Sequence, residues 1–83
     1  MTTFDKVKKI IIECTGVNGD LIKPEALFDE DIGLDSLDTI EIVMEAEMQF
    51  GCEIDDSTLA IIMSVQDAVN AVDMALGRKG GAA

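Results

Sequence analysis

Apolar residues along this chain recur mostly at helical rather than alternating spacing. Phe4, Val7, Ile10, Ile11 and Cys14 mark one face of a first helix, with Thr2 or Thr3 able to cap its start and Gly16 able to end it. Residues 17–34 then break the pattern. Asn18-Gly19-Asp20 signals a turn, and Pro24 argues against a continuous helix. Yet Leu21, Ile22, Leu27, Phe28, Ile32 and Leu34 predict a connection packed onto the domain rather than loose in water. Ordered connections of this length tend to carry function. A second helix is predicted over 36–50, with Asp35 as N-cap, Asp38 at the third helical position of a capping-box-like pair, and Gly51 beyond its end. Asp55 or Asp56 can cap a short third helix running to about Ile61. Ser64-Val65-Gln66-Asp67 opens a fourth, with Val65, Ala68, Val69, Val72, Ala75 and Leu76 on one face and Gly77 at its close. No segment alternates convincingly enough for a strand. The expected fold is all-α: a small four-helix bundle of three longer helices and one short one, with a long ordered loop between helices 1 and 2. Its domain is expected over 1–77, with a disordered C-terminal tail over 78–83.

The second helix carries two apolar arcs instead of one. At 100° per residue, Ile42, Val43, Ala46 and Phe50 form the first, and Leu37, Ile40, Met44 and Met48 the second. Glu47 divides them on one side, and Asp38, Glu41 and Glu45 fill most of the other. One arc can face a core. The other is an exposed strip with a charged rim, the composition of a protein-docking surface.

Charge narrows the partners. Seventeen acids against six bases leave a net charge of −11 over 83 residues. Nucleic acid and anionic membranes need a basic patch that this chain lacks, so basic protein surfaces are the fitting partners. Apolar residues make up 48% of the chain, enough for a single core, but Phe4, Phe28 and Phe50 are its only aromatics, so aliphatics and five methionines must fill the interior. Cys14 and Cys52 lack metal-ligand spacing and there is no histidine, which argues against zinc and for core thiols in a reducing compartment. No apolar run reaches membrane-span length, and charges at Asp5, Lys6, Lys8 and Lys9 interrupt any signal-peptide pattern. The expectation is a cytoplasmic protein, or a mature one whose targeting segment is absent from this chain.

Ser36 begins the second helix with no histidine anywhere to activate it, which excludes a serine–histidine–aspartate triad. Its nearest charges are acids, which would not ease loss of the hydroxyl proton. The residue reads as a handle for another enzyme, at a helix start whose N–H groups and dipole favour an attached phosphate. The Asp29-Glu30-Asp31 cluster fails as a calcium loop. Counted from Asp29, the required glycine falls on Leu34 and the twelfth-position glutamate on Ile40. No Gly-rich phosphate loop is present.

The run Asp31-Ile32-Gly33-Leu34-Asp35-Ser36-Leu37-Asp38-Thr39-Ile40-Glu41-Ile42-Val43-Met44 resembles the core motif of acyl carrier proteins. Val7-Lys8-Lys9-Ile10-Ile11 is similar to the family's first helix. Phe50, Glu53-Ile54 and Ser64-Val65-Gln66-Asp67-Ala68 match later landmarks in order. The resemblance implies a non-enzymatic carrier whose Ser36 receives phosphopantetheine from coenzyme A through a carrier-protein synthase, a phosphopantetheinyl transferase. The arm then holds acyl groups as thioesters and shuttles them between fatty-acid-synthesis enzymes. The resemblance further implies a monomer that docks on basic patches of its partners through Asp35, Leu37, Asp38, Glu41, Met44, Glu47 and Met48. It also implies an acyl cavity, for which Phe28, Val43, Ala46, Leu59, Ile62 and Ala68 are the candidates. Departures from the family pattern at Glu45, Ala46, Met48, Gln49 and Asp55 leave open a specialised carrier for a polyketide, lipid A or another dedicated pathway. A non-catalytic acidic helical adaptor is the distant alternative.

Overall fold

The computed structural model describes residues 2–81, with side chains through residue 77. Helix α1 spans Thr3–Thr15. Its N-cap is Thr2, whose hydroxyl accepts the Asp5 N–H while the Asp5 carboxylate accepts the Thr2 N–H, both at 3.1 Å. Hydrogen bonding to the Asp5 carboxylate from Thr2, first from its backbone N–H and then from its side chain, holds that carboxyl below its ordinary range. Gly16 ends the helix at φ 74°, a left-handed conformation that glycine adopts without strain. Val7, Ile10 and Ile11 are wholly buried, and α1 packs against both α2 (Ser36–Phe50) and α4 (Val65–Gly81). The Thr3 hydroxyl donates to the Asp73 carboxylate at 2.8 Å, fixing the start of α1 to α4.

The long connection is ordered because its backbone groups find partners. A single 3₁₀ turn, Gly19–Leu21, starts at Asn18, whose side chain accepts the Asp20 N–H. Further on, the chain pairs with the start of α4. Phe28 N–H donates to Met63 C=O at 2.9 Å, Val65 N–H to Ala26 C=O at 3.0 Å and Gln66 N–H to Pro24 C=O at 2.8 Å. Ile22, Ala26, Phe28, Ile32 and Leu34 are buried beneath these bonds. Leu21 differs from expectation and lies exposed, because the 3₁₀ turn that contains it buries none of its residues.

The short helix α3 spans Asp56–Ile61 with Asp55 as N-cap, and it too buries no residue of its own. It rests on α4, with half-buried Leu59 packed against the core. Helix α4 opens with a reciprocal pair: Ser64 Oγ accepts the Asp67 N–H, and the Asp67 carboxylate accepts the Ser64 N–H, both at 3.1 Å. Val65, Ala68, Val69, Ala71, Val72 and Ala75 face the core. The helix runs through Gly77 to Gly81 instead of stopping at Gly77. A glycine inside a helix costs about 1 kcal/mol relative to alanine, too little to end one already propagating. Of the expected tail, residues 82–83 lie outside the described residues, as do the side chains of 78–81.

The architecture is therefore the expected all-α bundle, with three longer helices, one short helix and an ordered loop between the first two. No strand occurs among the described residues; an isolated antiparallel bridge joins Leu27 to Ser64.

Candidate functional site

The site begins where the loop enters α2. Gly33, at φ 82°, makes the left-handed turn that brings the chain round, and Leu34 N–H donates to Phe28 C=O at 2.7 Å. Asp35 then caps the helix: its carboxylate accepts the Asp38 N–H at 3.0 Å, and the Asp38 carboxylate accepts the Asp35 N–H at 3.2 Å. The Thr39 hydroxyl donates to Asp35 C=O at 3.2 Å. This reciprocal bonding fixes the first turn around Ser36, the first helical residue, whose side chain is exposed. Of the first-turn N–H groups, those of Ser36 and Leu37 are left to serve an external acceptor.

Both arcs of α2 appear as expected. Ile42, Val43 and Ala46 are buried and Phe50 packs against them, with Lys6 Nζ 5.6 Å from the centre of its ring. Leu37, Ile40, Met44 and Met48 lie in solvent. Asp35 and Glu41 are exposed and Asp38 is half-buried. Glu47 has a structural partner that spacing alone did not reveal. It is half-buried, and its carboxylate accepts the Ile54 N–H at 2.8 Å, tying the end of α2 to the segment that leads into α3. Glu47→Ala is expected to cost about 1–3 kcal/mol of stability by stranding that donor; urea unfolding of the variant beside Glu41→Ala, which should cost little, measures it.

A groove of about 510 Å³ opens beside Ser36 between α2 and α3. Of the residues expected to line an acyl cavity, Phe28, Leu59 and Ile62 lie along it. Val43, Ala46 and Ala68 do not; they are buried in the interior, on the faces along which α2 and α4 pack. Ala46 therefore gives no extra room in the groove itself. Leu34, Thr39, Ile40, Ala60 and Met63, with the acids Asp29 and Asp35 beside Ser36, complete the lining and were not anticipated as groove residues. The signal for two of them was present: Thr39 and Ile40 follow Ser36 at i+3 and i+4, on one helix face. A second hollow, of about 890 Å³, sits at the far end of α2 beside Glu47, Cys52 and Ile54, away from Ser36.

Cys14 offers no rival nucleophile. Its burial, reinforced by the Glu45 and Glu41 carboxylates, pushes the thiol above its ordinary value and keeps it protonated. Among the described residues, no three or more acids and cysteines are grouped so as to hold a metal ion. No helix there is long and apolar enough to cross a membrane.

An exposed serine on a locked helix start, beside an apolar groove, is a place to attach a long group. Residues 5–72 match the family model described as the phosphopantetheine attachment site. The chain belongs to the acyl carrier protein family. Among its relatives, the acyl carrier proteins of two Nitratidesulfovibrio vulgaris strains, DP4 and Hildenborough, are each 49% identical over 72 residues, covering 87% of this chain and 95% of theirs. That of strain Miyazaki F is 48% identical over 69 residues, covering 83% and 91%. As a member of the acyl carrier protein family, the chain is a carrier and not a catalyst, and phosphopantetheine is its covalent group. Its partners are a phosphopantetheinyl transferase and enzymes that process acyl groups.

Proposed function

We propose that Ser36 bears the phosphopantetheine arm and that the chain shuttles intermediates of fatty-acid synthesis, as a cytoplasmic monomer. The observation that carries this reading is the position of Ser36, exposed at the first residue of α2 and on the lip of an apolar groove. The residues present fit the group. The Ser36 and Leu37 N–H groups and the positive end of the α2 dipole suit a phosphate diester there. Asp35 and Asp38 spend their carboxylates on each other's backbone, which keeps that turn in place with no acid aimed at the serine by hydrogen bonding. When attached, the arm supplies a terminal thiol that holds acyl groups as thioesters.

The remaining work belongs to this chain's own side chains. Phe28, Leu34, Ile40, Leu59, Ile62 and Met63 give the groove an apolar wall that shelters an acyl chain from water. Val43, Ala46 and Ala68 would be reached only by a chain long enough to part the core. Leu37, Met44 and Met48 present apolar contacts to partner enzymes, while Asp35, Asp38 and Glu41 attract basic patches on them. Thioester-bound cargo read by mass spectrometry from native cells tests the pathway. Saturated and 3-oxo fatty acyl chains are expected; a predominantly polyketide or other dedicated acyl product would overturn the fatty-acid assignment.

A further inference from the structure

Acids interrupt the apolar wall of the groove beside Ser36. Asp29 and Asp35 both belong to its lining, and both are exposed. None of the four lysines with described side chains faces them there. Lys6, Lys8 and Lys9 stand on α1, and Lys23 lies in a separate hollow with Asp20, Glu25 and Asp31. The two groove acids are not equivalent. Asp35 holds the first turn of α2 by accepting the Asp38 N–H. Asp29 accepts the N–H of its neighbour Glu30 at 2.7 Å, a bond that water can replace on this exposed segment.

Charge in so small a hollow is felt throughout it. A volume of about 510 Å³ corresponds to a sphere about 10 Å across. A carboxylate anywhere inside therefore lies within about one Debye length, roughly 8–10 Å, of both acids. Deep against Phe28, Leu59 and Ile62 it would also lose its water without gaining a partner. Attachment of the arm adds a third negative charge at the lip. Its phosphate diester takes up the N-terminus of α2, so the positive end of that helix is no longer open to another anion. We propose that the groove sorts cargo by charge: it shelters acyl chains that end uncharged and turns away short chains that end in a carboxylate, with Asp29 as the specificity-determining residue. Like charge and desolvation, not a steric block, exclude the second class. A carboxylated group then rides the arm in solvent, open to the enzyme that consumes it, while a neutral chain of the same length is withdrawn. This inference rests on Ser36 bearing the arm and on the groove receiving its acyl chain.

The test measures melting temperatures of the intact holo protein loaded with octanoyl, adipoyl or adipoyl methyl ester, each against the unloaded holo form at low salt. Adipoyl and its methyl ester share a chain and differ in charge. In the wild type the methyl ester form is expected to melt about 4 °C or more above the unloaded protein, and the adipoyl form no higher than it. Asp29→Lys is expected to close at least about half of that gap by raising the adipoyl form. Asp29→Asn, which can still accept the Glu30 N–H, should close a smaller share. High salt is expected to narrow the wild-type gap. Each shift is read within one variant, so a change in that variant's own stability cancels. Equal shifts for adipoyl and its methyl ester in the wild type would overturn the sorting. A gap as wide in Asp29→Lys as in the wild type would overturn the role of Asp29. Octanoyl leaving the melting temperature unchanged would be a different result: it would overturn the groove as the acyl site, and the sorting with it.

Discussion

Lengthening a saturated acyl group on the arm is expected to stabilise the whole protein. Each methylene taken out of water contributes about 0.8 kcal/mol, so six of them offer about 5 kcal/mol gross. Ordering the chain removes part of that gain. What remains is large beside the 5–15 kcal/mol, roughly, that holds a typical domain together. The groove of about 510 Å³ beside Ser36 has the room and the lining to receive such a chain. In a domain of this size each net kcal/mol raises the melting temperature by about 4–8 °C. Calorimetry of acetyl, butyryl and octanoyl forms should therefore show a stepwise rise, reaching at least several degrees for octanoyl. Equal melting temperatures for all three would mean that the chain stays in water. The same energy sets a task for partner enzymes. Each must offer the acyl chain an environment at least as apolar as the groove before it can draw the chain out.

The second large effect concerns α1, none of whose residues line the groove beside Ser36. Ile10 is completely buried where α1 braces both α2 and α4. Replacing it with alanine removes three carbons from a packed interior and leaves a void, at a cost of about 2–5 kcal/mol. For a domain this small, that is a large share of its total stability. Ile10→Ala is expected to shift the urea midpoint far down, or to leave the protein largely unfolded at 37 °C. Ile12→Ala, two residues away and partly in solvent, should lose much less. Similar losses in the two variants would mean that α1 is not the inner brace described above.

Helix limits were readable in the sequence wherever a side chain closes a local bond. Thr2, Asp35, Asp55 and Ser64 each cap the helix that follows, and their partners lie within a few residues along the chain. The two arcs of α2 were readable for a related reason, since helical periodicity fixes which residues share a face. Contacts between distant segments were not. The Glu47 bond to Ile54, the pairing of 24–28 with 63–66 and the groove lining at Ala60 and Met63 all depend on how elements meet in space. Val43, Ala46 and Ala68 show the same gap from the other side. Their apolar character marked them as interior, but only packing separates the core from the groove wall. Gly77 shows that a residue able to end a helix need not do so where the helix already propagates through it.

Ser36, and no other hydroxyl, is expected to bear the arm. The chain offers three serines: Ser57 is exposed near the start of α3, and Ser64 is half-buried with its hydroxyl bonded to the Asp67 N–H. Incubation with coenzyme A and a phosphopantetheinyl transferase, followed by peptide mapping, separates them. One phosphopantetheine increment per chain is expected, wholly on the peptide containing Ser36, and none in Ser36→Ala. An increment on Ser57 or Ser64, or an unmodified wild type beside a control carrier that is fully labelled, would contradict it.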